Sequence, residues 1–296
     1  MLKRTIYIGN PSYVKYKLKQ LLIYSSEDKE LKGSVPIEDL GFLVLDHPQI
    51  TITTPLLVYL QQKNVAIVCC DEKHLPLGLM LPLYGHVEHS FRLQRQVEMS
   101  EPLRKQLWKQ TVQAKIGQQG LLLKKLHLNY GPMSNYQEAV KSGDTTNMEG
   151  IAAQFYWREL FGNFIREREG EYPNAFLNFG YAILRSMVAR ALVCVGLNPS
   201  LGIFHSNKYN PYCLADDLME PYRPYVDWIV LSIMKKYKEI NELTKPIKAE
   251  LLQIATLDVS IMGKMRPLLV ALSSTASSFY KCVIGEYRLL NYPTFI

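Results

Sequence analysis

Apolar and polar positions alternate with a period of two through the first third of the chain and change to a helical period near residue 85. In Val14-Lys15-Tyr16-Lys17-Leu18-Lys19 every second residue is apolar, the pattern of a strand with one buried and one wet face. Thr5 to Gly9, Leu21 to Tyr24, Gly41 to Leu45, Gln49 to Thr53 and Val65 to Cys70 read as further strands. Between the last two, Thr54-Pro55 opens a short helix over Leu56 to Lys63, with an N-cap and a proline in the first turn. The lysines at 15, 17 and 19 either form a solvated face that protects an edge strand or a phosphate-tracking stripe. The pattern favours the first.

Beyond Leu81-Pro82-Leu83-Tyr84-Gly85 the apolar period is helical. The fold class expected is α+β, a small mainly-β domain at 1–85, a linker at 86–99 and a larger all-α domain at 100–296. Ser100-Glu101-Pro102 opens a helix with Leu103 and Leu107 facing the core, while Arg104, Lys105, Lys109 and Lys115 make it basic. Short helices follow at Leu121 to Leu128 and Tyr136 to Lys141. Thr146-Asn147-Met148-Glu149 has the spacing of a capping box, which gives Glu149 a structural role before any other. The longest run, Ala175 to Val195, carries Phe179, Ile183, Met187 and Ala191 on one stripe and is apolar almost all round, as a buried spine is. Arg185 and Arg190 within it need acidic or phosphate partners. Tyr225 to Lys238, a helix capped by Thr244 and Pro246, and a last one from Arg266-Pro267 toward Gly285 complete the reading.

Composition narrows the class. The 296 residues are 48% hydrophobic, enough for a sizeable core without staples. No run is read as spanning a bilayer, and the N-terminus passes directly into a strand pattern, so a cytoplasmic location is expected. Five scattered cysteines match neither a disulfide framework nor a zinc knuckle. His86 and His89 lack acids or thiolates at ligand spacing and read as linker or surface residues. Lys plus Arg exceed Asp plus Glu by 34 to 27, an excess that permits nucleic-acid binding without requiring it.

The chemistry concentrates at 202–224. His205 lies in a polar loop, and Asp217 and Glu220 stand three apart, so both carboxylates project from one helix face. Such acids repel unless something positive lies between them. Carboxylate oxygens with an imidazole nitrogen suit Mg2+ or Mn2+. Pro221 and Pro224 break or kink the backbone just behind the acids. Glu149, near a helix N-terminus, is a possible third ligand beside its capping role. Arg104, Lys109, Lys208 and Arg223 are candidate contacts to a DNA backbone, and Tyr209 and Tyr212 either stack on a base or pack inward.

Three motifs in order, Asn147-Met148-Glu149-Gly150, Gly202-Ile203-Phe204-His205 and Asp217-Leu218-Met219-Glu220-Pro221-Tyr222-Arg223-Pro224, resemble the integrase and endonuclease subunit of CRISPR adaptation, the first-numbered CRISPR-associated protein, most closely its type II form. The likeness extends over nearly the whole chain, through the Ser100 to Lys105 and Asn174 to Arg190 helices. It implies that Glu149, His205 and Glu220 bind a catalytic Mg2+ or Mn2+, with Asp217 a supporting acid beside them. It implies joining of a DNA 3′-hydroxyl to the leader end of a CRISPR array, and nuclease activity when water replaces that hydroxyl. It also implies double-stranded DNA partners (prespacer and leader-repeat), a homodimer formed through the β-domain, and a 4:2 complex with a small ferredoxin-like second CRISPR-associated protein. Type II systems add an effector nuclease and a ring-shaped accessory protein.

A non-catalytic DNA-binding or scaffolding subunit is the rival reading, with the acids merely paired to Arg223, Arg185 or Arg190. Convergence of Glu149, His205 and Glu220 favours the enzyme; Glu149 capping its helix and His205 paired within its loop favour the scaffold. A hydrolase acting on a small phosphate ester is weaker, because no glycine loop that would cradle a phosphate is evident.

Overall fold

The computed structural model describes residues 3–162, 164–167, 172–237 and 241–295, in two units, Met1–Val87 and Glu88–Ile296. The first runs β1 (Arg4–Ile8), β2 (Ser12–Lys17), β3 (Gln20–Ser25), β4 (Leu31–Pro36), β5 (Leu40–Leu45), β6 (Ile50–Ile52), α1 (Thr54–Gln62), β7 (Ala66–Cys70) and β8 (Pro76–Met80). Its strands form two sheets, ordered β1-β5-β7-β8 and β4-β3-β2-β6. Phe42, Leu43 and Val44 in the parallel centre of the first sheet are all fully buried, which is why that strand reads as an unbroken apolar run. Val14 and Leu21 of the second sheet join Ile37, Leu56 and Leu60 in one core.

The lysine row is shorter than the alternation suggests. Leu18 and Lys19 both have positive φ, 49° and 61°, so they form the two-residue turn between β2 and β3. Lys15 lies 4.5 Å from the centre of the Tyr24 ring. The sequence reading missed β4 and β8 because Gly33, Pro36, Pro76 and Gly78 interrupt them; both are edge strands, where such residues are tolerated.

The second unit runs α2 (His89–Val97), α3 (Glu101–Lys125), α4 (Gly131–Ala139), α5 (Met148–Phe161), α6 (Asn174–Cys194), α7 (Cys213–Met219), α8 (Arg223–Lys236), α9 (Lys245–Leu251), β9 (Asp258–Ile261), β10 (Lys264–Pro267) and α10 (Leu268–Val283). Four expectations change. The supposed linker at 86–99 contains α2, and α3 continues through the region expected as a separate helix at 121–128. Gly117 and Gly120 do not break α3; a Cβ on Gly120 would come within 3.1 Å of Met133 on α4, so this glycine serves close packing. The expected all-α domain holds one hairpin, β9–β10, turned through Met262 and Gly263 at positive φ. The helix expected at Tyr136 to Lys141 is α4, which begins at Gly131 and ends at Ala139. Lys238, expected at the end of α8, lies outside the described residues.

By length and composition α6 could cross a membrane, contrary to the sequence reading, but 83% of its apolar window is buried within the unit. It packs against α7, α8, α9 and α10, as the spine reading expected. Residues 288–295 return across α3. Gln110 donates to the Arg288 carbonyl (2.9 Å) and accepts from the Leu290 N–H (2.8 Å). Gln118 accepts from the Phe295 N–H (2.9 Å), and the Phe295 ring stacks on Tyr225 at 4.4 Å.

Candidate metal and nucleic-acid site

The site is assembled on α3, which packs against α5, α7 and the 3-10 turn at Glu220–Tyr222. At the start of α5 the cap is not the Thr146–Glu149 box. Asn147 is the N-cap, in the left-handed conformation, and its side chain accepts from the Gly150 N–H. Asp144 accepts from the Met148 and Glu149 N–H groups at 2.9 and 3.0 Å. With those donors satisfied, Glu149 turns its carboxylate to Lys115, whose Nζ lies 2.6 Å from Oε1.

The same Nζ lies 2.6 Å from Oε2 of Glu220, which is almost fully buried. Oε1 of Glu220 accepts from Arg223 Nε at 2.8 Å. Burial opposes ionisation of Glu220, but Arg223 and then Lys115 outweigh it and hold the carboxyl well below the usual range. For Lys115 burial acts against the charge, and Glu220 and Glu149 more than restore it. Oε2 of Glu220 touches the ammonium but makes no aligned hydrogen bond among the described residues.

Asp217, fully buried, builds the His205 loop. Its Oδ2 accepts from the N–H groups of Ile203 (2.7 Å) and Phe204 (3.1 Å), and its Oδ1 from the His205 N–H (3.2 Å). His205 Nδ1 lies 2.6 Å from the same Oδ1, a contact that commits Nδ1 and leaves Nε2 as the nitrogen able to take a ligand. That bond raises the imidazole pKa against the effect of burial, helped by the charges of Asp217, Glu220 and Glu149. The wrap is possible because residue 202 is glycine: a Cβ there would stand 2.2 Å from the His205 carbonyl and 2.8 Å from Asp217 Oδ2. Trp108 of α3 stacks on Phe204, centroids 4.2 Å apart and planes within 2°, and meets the His205 ring edge-on.

The neighbouring acid, Asp216, faces elsewhere and pairs with Arg185 through Nε at 2.6 Å and with Asn210 at 2.7 Å. Arg185 thus has the acidic partner its position demanded. Among the described residues, Glu149, His205 and Glu220 do not close into a metal-ligand cluster. Lys115 stands between the two acids instead, and His205 feels both through space. The donors nevertheless fit a divalent cation: two carboxylates already gathered round one positive charge, and an imidazole oriented by a carboxylate.

The four basic candidates separate. Arg104 and Lys208 line a cleft of about 410 Å³ together with His205 and Asn207. Lys109 is half-buried on α3. Arg223 is committed to Glu220 and to the face of Tyr181, 4.6 Å from its centroid, so its expected phosphate contact gives way to an internal pairing. Tyr209 is exposed, with Lys208 over its ring. Lys115 is the residue the sequence reading undervalued. It falls on the same face as Leu107 and Thr111, at steps of four, and a lysine on the buried face of a helix was the available signal.

Behind Arg223, Asp227 accepts from the hydroxyls of Tyr156 and Tyr181 in a fully buried cluster. Burial pushes its carboxyl up to about 6, against the pull of the two hydroxyls. A folded-state value above the unfolded one means stability is full below pH 4 and is lost as pH rises through 6. Replacing Asp227 by Asn removes this dependence. Between pH 4 and 7 the unfolding free energy of the native protein should fall by about 2 kcal/mol relative to Asp227→Asn, at ~1.36 kcal/mol per unit and with the unfolded carboxyl already partly ionised at pH 4. Urea titrations at the two pH values check it; parallel behaviour of the two proteins would refute it.

Residues 6–246 match the family model described as CRISPR associated protein Cas1. The chain belongs to the Cas1 family. A relative from Neisseria meningitidis serogroup C (strain 8013), named CRISPR-associated endonuclease Cas1, is 34% identical over 93% of this chain and 90% of its own. Among solved structures, a casposase bound to integration product superposes with a TM-score of 0.80 at 19% identity, covering 98% of this chain and 92% of that one. A Cas6-RT-Cas1–Cas2 complex gives 0.74 at 18% identity, covering 97% of this Cas1 family member and 35% of the longer chain. At such identities the two structures establish the shared Cas1 fold.

Proposed function

We propose that this chain is a metal-dependent DNA integrase and endonuclease that inserts short DNA fragments as new spacers into a CRISPR array by 3′-hydroxyl transesterification. The observation that carries the proposal is the gathering of Glu149 and Glu220 around a single cation beside a histidine whose Nδ1 is fixed by Asp217. Glu149, Glu220 and His205 Nε2 would hold Mg2+ or Mn2+, which supplies charge stabilisation at the phosphodiester and favours the ionised attacking hydroxyl. Asp217 fixes the imidazole tautomer and the loop that bears it. Arg104 and Lys208 offer positive charge along the adjoining cleft for the DNA backbone. Lys109 adds to the basic face of α3.

The scaffold reading is favoured by the Glu220–Arg223 pair, by the pairing of His205 with Asp217 in its loop, and by Lys115 standing where the three candidate ligands would close on a metal. Against it stands Glu149, which is released from helix capping by Asp144 and Asn147. Residues 100–296 are assigned the chemistry and residues 1–85 homodimerisation. An apolar groove of about 660 Å³ on the first unit, lined by Val58, Met80, Leu83 and Tyr84, supports docking of a second copy there. The partners proposed are prespacer and leader-repeat DNA and a small ferredoxin-like second CRISPR-associated protein in a 4:2 complex. Type II effector nuclease and ring-shaped accessory subunits complete the set, and the location assigned is the cytoplasm.

The test is joining of a labelled short duplex to a plasmid carrying leader and repeat, with Mn2+ or Mg2+ and the partner subunits. Product should require a free 3′-hydroxyl and should fall by at least about 100-fold in His205→Ala, the scale of losing a group that acts at the reacting centre. Equal joining by wild type and His205→Ala would overturn the catalytic assignment.

A further inference from the structure

We propose that Lys115 is the built-in counter-ion of the acid pair and that a divalent cation enters the site by displacing its ammonium. The inference rests on the metal-site reading above. Nζ touches one oxygen of Glu149 and one of Glu220, each at 2.6 Å. A divalent ion bridging those carboxylates needs oxygens at about 2.0–2.6 Å, so it and the ammonium compete for the same space. One positive charge leaves as two arrive.

Three features make the exchange possible. Lys115 issues from the middle of α3, a helix pinned by its buried residues and by the 288–295 segment, so only the four-carbon stem has to move. Arg223 stays on the far oxygen of Glu220, which keeps that buried carboxylate compensated while the near oxygen changes partner. Oε2 of Glu220 has only the ammonium within contact among the described residues, at 2.6 Å, so its turn to a metal breaks that single contact. The arrangement keeps the acids together in the metal-free protein, with the lysine setting the threshold for metal entry.

The experiment is titration of Mn2+ into the DNA-free, full-length protein, read by electron paramagnetic resonance of free Mn2+ and by the thermal shift Mn2+ produces. Lys115→Met should bind Mn2+ at least about 10-fold more tightly than wild type, because an unopposed acid pair attracts a cation more strongly. Without metal it should melt lower, and Mn2+ should raise its melting temperature by more. Lys115→Arg keeps the charge and can hold both carboxylates with a planar fork, so it should bind Mn2+ more weakly than wild type; this arm stands even where the methionine variant fails to fold. Mn2+ affinities for the two variants equal to wild type, with binding still abolished by Glu149→Gln, would overturn the displacement proposal and leave the metal site standing. Absence of Mn2+ binding in wild type and Lys115→Met alike would overturn both.

Discussion

Asp217→Ala should cost about 3–5 kcal/mol of stability, the scale for deleting one partner of a buried charged network. One fully buried carboxylate accepts from the three successive N–H groups of Ile203, Phe204 and His205 and from the His205 ring. Alanine leaves those donors facing a void. Each backbone N–H stranded in this way costs about 1–3 kcal/mol before the loop relaxes. Asp217→Asn should lose roughly 2 kcal/mol, since one amide oxygen can still accept while its NH2 opposes a donor. Urea unfolding at pH 7 measures both. An Asp217→Ala protein within 1 kcal/mol of wild type, on the ~1–3 kcal/mol scale of a single unpaired donor, would show that the loop is held by something else.

Glu149→Gln should fold normally and lose at least about 100-fold in joining rate, as expected when a charge at the reacting centre is removed without changing shape. The start of α5 is capped by Asp144 and Asn147, so the helix does not depend on the Glu149 carboxylate, and the Lys115 ammonium keeps Glu220 as its charged partner when Glu149 becomes an amide. Glutamine is as good as glutamate in a capping box. The substitution therefore separates the two roles the sequence left open: full activity in Glu149→Gln would return the residue to a structural role. Melting temperature and joining rate, measured on the same preparation, decide.

Much of this architecture was legible because the apolar period changes where the chain changes character. The β-rich start and the buried spine now seen as α6 followed from pattern; spacing grouped Asp217 with Glu220 around one cation, whereas Asp217 holds the His205 loop and Glu220 meets Lys115 and Arg223, and a place for Asp217 beside the site came from the family resemblance alone. Other features depend on tertiary contacts that periodicity does not encode. Gly120 reads as a helix breaker until Met133 packs against it. Thr146 to Glu149 has the spacing of a box, but Asp144, two residues earlier, takes the Glu149 N–H that the Thr146 hydroxyl would have capped, together with that of Met148. Asp216 and Asp217 are adjacent and alike in sequence, yet one neutralises Arg185 and the other builds the histidine loop. Lys115 was visible only as charge; its meaning came from two acids 34 and 105 residues away along the chain.

The segment at 288–295 bears on how the protein is made. Its bonds to Gln110, Thr111 and Gln118 join positions 175–181 residues apart, and closing so long a loop is slow compared with forming the helices themselves. A chain emerging from the ribosome folds its earlier parts first. The first unit can therefore be complete while α3 still waits for its last clamp. The helix that carries Lys115 is secured only after nearly all of the described chain has been translated, so the acid site matures late in synthesis, after the β-rich unit has taken shape.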